Sequence, residues 1–267
     1  MPILDIELIV NKDNLKMKPI KERQDIYLDV INQNVSRRNG GIYLLTGSGG
    51  SGKSNLLLNM FKSKTEYKKV FDNIYYFCPV ASFNSIKSHP FEKHEKVYHE
   101  LNIGILQEIY DELVSKKDDA TKKPEPKEKN NFAEVEEEEE EKEEKKEIEY
   151  SAIILDDFAD ALKNMEIQKF LNKIIIKARH LCVSFFITLQ SYTYMPKQLR
   201  KQVTYLTLFK TKNKAEFEII AEEILNLKKD DALLLYDYVF DKPYTHLDID
   251  TCKDLLYKNF NLLKLKY

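Results

Sequence analysis

The sequence predicts an α/β fold: a mostly parallel central sheet with helices on both faces. Three observations point there. Near-continuous apolar, β-branched or aromatic runs recur at Ile42–Leu45, Ile74–Cys78, Ala152–Leu155, Cys182–Leu189 and Val203–Phe209, the pattern of strands covered on both sides. Helical patterns separate them, at Asn55–Phe61, Ile105–Val114, Met165–Ala178 and Glu216–Leu225, as in α/β folds. Six of the seven glycines lie between Gly40 and Gly52, and four of them fill the gap between the first strand and the first helix. A chain so sparing of glycine elsewhere places it where backbone must turn tightly or approach a ligand.

Taken in order, residues 1–40 predict a strand around Leu4–Val10 and a helix around Ile20–Asn32. The strand, glycine loop and helix of 42–61 follow, then the alternating elements above. Short segments at Tyr244–Ile249 and Phe260–Leu265 close the chain and carry no firm assignment. Between Lys116 and Glu149 the pattern stops. This stretch holds fifteen acidic and nine basic side chains, net −6, with Pro124, Pro126 and the run Glu136–Glu141. It has too little apolar surface to offset the entropy of ordering, and reads as a solvated, disordered acidic insertion, the sharper alternative being a regulatory acidic arm that competes with nucleic acid for a basic surface. The chain thus divides into 1–115, the insertion 116–149, and 150–267, the first and last being parts of one domain.

The 267 residues are 43% hydrophobic and 32% charged, with formal net charge −2. Setting the acidic insertion aside leaves the other 233 residues at net +4, a mildly basic body. No apolar run approaches the ~20 residues of a membrane span, and the N-terminus lacks the pattern of a secretory signal. Cys78, Cys182 and Cys252 are isolated, which excludes a disulfide framework or a Cys-rich zinc site and fits a reducing compartment. No repeat of 20–50 residues is visible, so a solenoid is excluded.

Gly47-Ser48-Gly49-Gly50-Ser51-Gly52-Lys53-Ser54 matches G-x-x-x-x-G-K-[ST] in full. In such a loop the glycines let successive N–H groups converge on a phosphate, and the helix N-terminus adds partial positive charge. Lys53 would reach the β- and γ-phosphates, and Ser54 would offer its hydroxyl to Mg²⁺. Downstream, Ser151-Ala152-Ile153-Ile154-Leu155-Asp156-Asp157 is a buried strand ending in two acids, at the mouth where open α/β sheets bind ligands. Asp156 is the candidate for the Mg²⁺ shell, and Asp157 for orienting or deprotonating the attacking water. A third run, Ser184–Leu189, ends in Gln190, whose amide could contact the γ-phosphate or that water. The strand Ile74–Cys78, lying along the chain between the phosphate loop and Asp156, suggests the additional-strand P-loop ATPases that work as rings.

Other nucleotide enzymes fit poorly. A GTPase needs D-x-x-G and N-K-x-D, whereas the chain has Asp157-Phe158-Ala159-Asp160 and Asn213-Lys214-Ala215-Glu216. An arginine-rich kinase lid is hard to build from five arginines. His89, His94 and His99 recur every five residues, where helical metal ligands prefer three or four, so they read as loop or surface residues. Tyr75-Tyr76-Phe77 could stack bases but, on a central strand, reads as core. Lys62–Lys69 and Lys197–Lys201 could follow nucleic-acid phosphates, though such runs are usually solvated helix faces.

The series GSGGSGKS, DNIYYFCPVASF, HPFEKHEKVYHEL, AIILDDF and ARHLCVSFFITLQSY resembles the genome-packaging ATPases of large double-stranded DNA viruses and virophages, members of the FtsK/HerA-like superfamily, over roughly residues 1–250. The resemblance implies a RecA-like P-loop fold and an ATP- and Mg²⁺-dependent homo-oligomeric ring, a hexamer or pentamer, that pumps double-stranded DNA into a capsid. Capsid or portal-vertex proteins would be its partners, and the host cytoplasm or the virion its location. It matches Lys53, Ser54, Asp156 and Gln190 to the family's phosphate-loop lysine and hydroxyl, magnesium carboxylate and sensor amide. Asp157 stands where many members carry Glu, one methylene longer. Arg179 is the favoured candidate for a finger acting in the next subunit, with Arg200 the other. The rival readings are a cellular or mobile-element pump or helicase of the same superfamily, and an ATP-dependent switch or scaffold with negligible turnover.

Overall fold

The computed structural model describes residues 30–32, 36–37, 39–121 and 148–265. A short antiparallel pair, β1 (Val30–Asn32) and β2 (Ser36–Arg37), precedes the body. The body then runs β3 (Ile42–Thr46), α1 (Lys53–Lys62), β4 (Asn73–Phe77), α2 (Val80–Asn84), β5 (Val97–Tyr98) and α3 (Ile103–Thr121). After the insertion come β6 (Ser151–Asp156), α4 (Met165–Ile176), β7 (Val183–Leu189), α5 (Lys197–Arg200), β8 (Tyr205–Phe209), α6 (Lys214–Ile220) and α7 (Lys229–Val239). An antiparallel meander of β9 (His246–Asp250), β10 (Leu255–Lys258) and β11 (Asn261–Leu263) ends the chain's described part.

All strands but the first pair form one sheet, in the order β11-β10-β9-β8-β3-β7-β6-β4-β5. From β8 to β5 every pairing is parallel; β9 joins β8 antiparallel. Alternate residues of each central strand feed two cores. On one face Leu44, Phe77, Ile153, Phe185, Ile187 and Leu208 pack beneath α3, α4, α6 and α7. On the other, Tyr43, Leu45, Tyr76, Ile154 and Phe186 pack beneath α1 and the segment that follows it. Phe186 is the hub of that second core, stacked on Tyr43 at 4.7 Å and edge-on to Phe61 and Tyr67 at 5.0 and 4.9 Å. The doubly covered, mostly parallel α/β sheet expected from the apolar runs is the one observed.

The helices follow their patterns. α4 buries Ile167, Leu171, Ile174 and Ile175, and Asn164 caps it by accepting from the N–H groups of Glu166 and Ile167. Such a cap contributes about 1 kcal/mol. Several expectations need correction. The helix expected over Ile20–Asn32 lies mostly outside the described residues, and its last three residues are strand, in keeping with β-branched Val30 and Ile31. The strand at Leu4–Val10 lies wholly outside them. The helix expected over Glu216–Leu225 begins at Lys214, and its second half is a π-helical turn, Ala221–Leu225, ended by Asn226 in the left-handed conformation, φ 52°. α7 and β10 were not foreseen.

α3 continues to Thr121, well into the acidic stretch. The far end of that stretch is also tied down: Glu149 accepts from Asn73 Nδ2 at 2.9 Å and pairs with Lys116 at 3.1 Å. Residues 122–147, including Glu136–Glu141, lie outside the described residues. No helix among those described is long and apolar enough to cross a membrane.

Candidate active site

The strand register decides what can meet. Asp156 pairs with Thr188 of β7, and Thr188 pairs in turn with Leu45 of β3. The phosphate loop leaves β3 one residue later, so the loop and the two acids stand level at the C-terminal mouth of the sheet. β7 lies between them. The strand that intervenes in the sequence, β4, lies instead beyond β6. The additional strand inferred from the chain is therefore present, but it is β7.

The loop turns through positive φ at Gly47 (147°), Gly50 (74°) and Gly52 (106°). At Gly47 a Cβ would sit 2.7 Å from Phe209 Cβ, so both space and conformation exclude a side chain. Around Gly49 and Gly50 nothing would lie within 4 Å of a Cβ, and the loop faces open space there. α1 starts at Lys53 with no side-chain cap, leaving its first N–H groups available to an anion. A cleft of about 730 Å³ runs from Ser48 and Gly49 past Lys210 and Thr211 to Tyr244, room for the rest of a nucleotide.

Lys53 is 8% exposed and donates to the carbonyls of Gly47 (2.7 Å) and Ser48 (3.0 Å). Burial holds its ammonium below the ordinary lysine range, against the opposing pull of Asp157 and Asp156. Ser54 Oγ donates to Asp156 Oδ1 at 2.9 Å. This hydroxyl and carboxylate are a hard-oxygen donor pair of the kind Mg²⁺ takes alongside phosphate and water, so the residues present fit the ion. Thr188 Oγ1 donates to the same Oδ1, and Tyr76 OH donates to Oδ2 at 3.1 Å. Asp156 itself is 1% exposed.

Asp157 stands beside it in the left-handed region, φ 63°, a conformation uncommon outside glycine and found disproportionately at functional sites. Its N–H donates to Thr188 Oγ1 at 3.1 Å. Its carboxylate accepts from Gln190 Nε2 (3.1 Å) on one oxygen and from Ser82 Oγ (3.3 Å) on the other. Gln190 is exposed, and the turn behind it is pinned by buried Glu216, which accepts from Ser191 Oγ and the Tyr192 N–H. Glu216, considered above as part of a base-reading motif, thus has a scaffolding contact.

Every phosphate-loop residue, both aspartates and Gln190 therefore converge. Arg179 does not. It is exposed, just before β7 begins, at the end of the sheet away from the aspartates; its carbonyl accepts from Asn39 Nδ2 at 3.3 Å. Arg200 pairs with Glu223 at 3.3 Å and lies over the Tyr192 ring at 4.8 Å. Sequence reading missed four residues: Thr188, Tyr76, Ser82 and His89. Thr188 was visible as the one hydroxyl in Phe185–Leu189. His89, expected in a loop or at the surface, lies in a loop but is 6% exposed, stacked on Phe83 at 4.1 Å. The aromatic strand around Tyr76 packs in the core as expected, each of Tyr75, Tyr76 and Phe77 being 0% exposed. Among the described residues no group of three acidic, histidine or cysteine side chains could hold a metal by itself.

Comparison with known proteins agrees with this fold. Residues 25–247 match the model of a family described as an ATPase domain predominantly from Archaea. No curated protein matches the sequence significantly. Among solved structures, B204, the DNA-packaging ATPase of Sulfolobus turreted icosahedral virus, is similar with a TM-score of 0.55 at 14% identity, over 83% of this chain and 97% of B204. The genome-packaging NTPase B204 of Sulfolobus turreted icosahedral virus 2, in complex with AMPPCP, gives 0.51 at 14% identity, over 82% and 96%. EssC ATPases 2 and 3 from Geobacillus thermodenitrificans give 0.56 at 16% identity, over 84% of this chain but 40% of that one. At such identities the likeness is one of fold, and it is the fold that the sequence resemblance implied. The chain belongs to the family of ATPase domains found predominantly in Archaea.

Proposed function

We propose that this ATPase hydrolyses ATP with Mg²⁺ to move double-stranded DNA, and that its task is to package a viral genome. The observation that carries the hydrolytic part is the 2.9 Å hydrogen bond from Ser54 to Asp156, which joins the phosphate loop to the acidic strand with Asp157 next in line. On binding, Lys53 exchanges the Gly47 and Ser48 carbonyls for β- and γ-phosphate oxygens. Mg²⁺, held through Ser54 and Asp156, would neutralise charge on those phosphates. Asp157 accepts the proton of the attacking water on its carboxylate, which hydrogen bonds from Gln190 and Ser82 keep aimed. Gln190 Nε2 keeps one N–H on Asp157 and offers its second to a γ-phosphate oxygen, and so senses the loss of that phosphate. Arg179 lies too far from its own site to help there, and serves as a finger only towards a neighbouring subunit in a ring.

The DNA-moving role is supported by the sequence resemblance to viral packaging motors and by the shared fold with B204. The mildly basic body is weak as a lone DNA binder, but a ring lets several weak patches act on one duplex at high effective concentration. The test is ATP turnover with and without duplex DNA, paired with displacement of a third strand from a triplex. Stimulation by duplex DNA together with ATP-dependent displacement is expected. Turnover indifferent to DNA, with no displacement, would leave an ATPase that is not a DNA motor.

A further inference from the structure

Behind Asp156 lies a chain of hydrogen bonds whose proton order is set by a backbone group. The Phe91 N–H donates to His89 Nδ1 at 3.2 Å, so that nitrogen carries no proton. The neutral ring then bears its proton on Nε2, which faces Tyr76 Oη at 3.2 Å. Burial holds the imidazole below its ordinary pKa, favouring this neutral form. Tyr76 Oη accepts from His89, so its own proton is directed onward to Asp156 Oδ2 at 3.1 Å.

Asp156 offers about four acceptor positions. Ser54 and Thr188 take those on Oδ1, and Tyr76 takes one on Oδ2. One position on Oδ2 is left. Without the Tyr76 hydroxyl, that oxygen would have no protein donor in a 1%-exposed environment, and the carboxylate would be freer to rotate. Phe83, stacked on His89, and Phe91, 4.7 Å from the Tyr76 ring, wall the chain from solvent.

We infer that Tyr76 and His89 are positioning residues that orient Asp156 for a divalent cation, the backbone N–H of Phe91 dictating the tautomer of the relay. This rests on the reading of Asp156 as the Mg²⁺ carboxylate given above. Outer partners of metal ligands commonly change metal affinity about 10–100-fold when removed.

The experiment follows binding of a fluorescent, non-hydrolysable ATP analogue as Mg²⁺ is titrated, in wild type and in Tyr76→Phe, His89→Leu and His89→Gln. Analogue affinity in EDTA and ligand-free thermal unfolding are measured beside it. Tyr76→Phe, which removes one oxygen, should raise the half-saturating Mg²⁺ about tenfold or more, leaving EDTA affinity within about twofold. His89→Leu should shift it in the same direction by a smaller factor, and His89→Gln, whose amide can still donate, should recover part of the loss. Folded variants with the wild-type Mg²⁺ midpoint would overturn the relay alone. Variants whose affinity falls equally in EDTA and in Mg²⁺ would also overturn it, since the effect would then be structural. A wild type with no Mg²⁺ dependence would overturn the metal reading of Asp156 as well.

Discussion

Asp157 and Gln190 show how much of the chemistry rests on the placement of single side chains. Both are polar ends of buried strands, and each alone would be unremarkable. The register of β6 on β7 sets them 3.1 Å apart, and Thr188 Oγ1 both accepts from the Asp157 N–H and donates to Asp156. Losing one preorganised donor at a charge-developing site costs about 10²–10³ in rate. Gln190→Ala should therefore lower kcat by roughly that factor while leaving the KM for ATP within about threefold, because the amide makes no contact with the phosphate loop; steady-state kinetics reads both. At this scale the sequence was informative wherever chemistry and spacing coincide in a short window, as in Gly47–Ser54 and Asp156-Asp157. It was silent on His89 and Ser82. Their partners lie 13 and 75 positions away, and no local pattern encodes such contacts.

The elements hold the site by fixing the depth of each strand, and one surface cluster shows how they are tied. Glu112 on α3 pairs with Lys96, just before β5, at 2.7 Å and with Lys116 at 3.0 Å; Lys116 also reaches Glu149 ahead of β6. Burial alone would raise the Glu112 pKa, but hydrogen bonds from Lys96 and Lys116 outweigh it and hold the carboxyl at about 2, against an ordinary 4.5. A carboxyl depressed in the folded state contributes stability that is fully present above about 4.5 and fades as pH falls towards about 2. The side chain is 35% exposed, so solvent screening reduces the benefit to about 1 kcal/mol. Glu112→Gln should lower unfolding stability by about that amount at pH 7 and by only a small part of it at pH 2, where about half of the folded-state carboxyl is protonated, measured by urea denaturation; an equal gap at both pH values would refute the assignment. The central strands and α1, α3 and α4 were legible because their apolar periods are long and uninterrupted. α7 was legible in principle: Ala232, Leu235, Tyr236 and Val239 are its buried face at helical spacing, although the charged Lys228–Asp231 run that opens it carries no apolar period. The π-helical turn after α6 was not, since an α-helical and a π-helical turn share the same apolar pattern.

For the molecule as a whole, the order β8-β3-β7-β6-β4 is the decisive feature. It brings two segments more than a hundred residues apart, Lys53-Ser54 and Asp156-Asp157, to one end of one sheet, while the acidic stretch between α3 and β6 enters and leaves near Lys116 and Glu149, on the side where β6 begins. The fold class could be read from alternating strands and helices, but strand order could not, because nothing local distinguishes β7 from β4 as the intervening strand. The central claim is that these two segments together form an Mg²⁺-dependent ATP-hydrolysing centre. Its most direct test is phosphate release from ATP and Mg²⁺ by wild type, Lys53→Ala and Asp157→Asn, with nucleotide binding followed in parallel by ligand-induced thermal stabilisation. The account predicts steady turnover by wild type, loss of both binding and turnover in Lys53→Ala, and in Asp157→Asn retained stabilisation with turnover reduced about a hundredfold or more. Turnover by Asp157→Asn at the wild-type rate, or undiminished nucleotide stabilisation in Lys53→Ala, would contradict it.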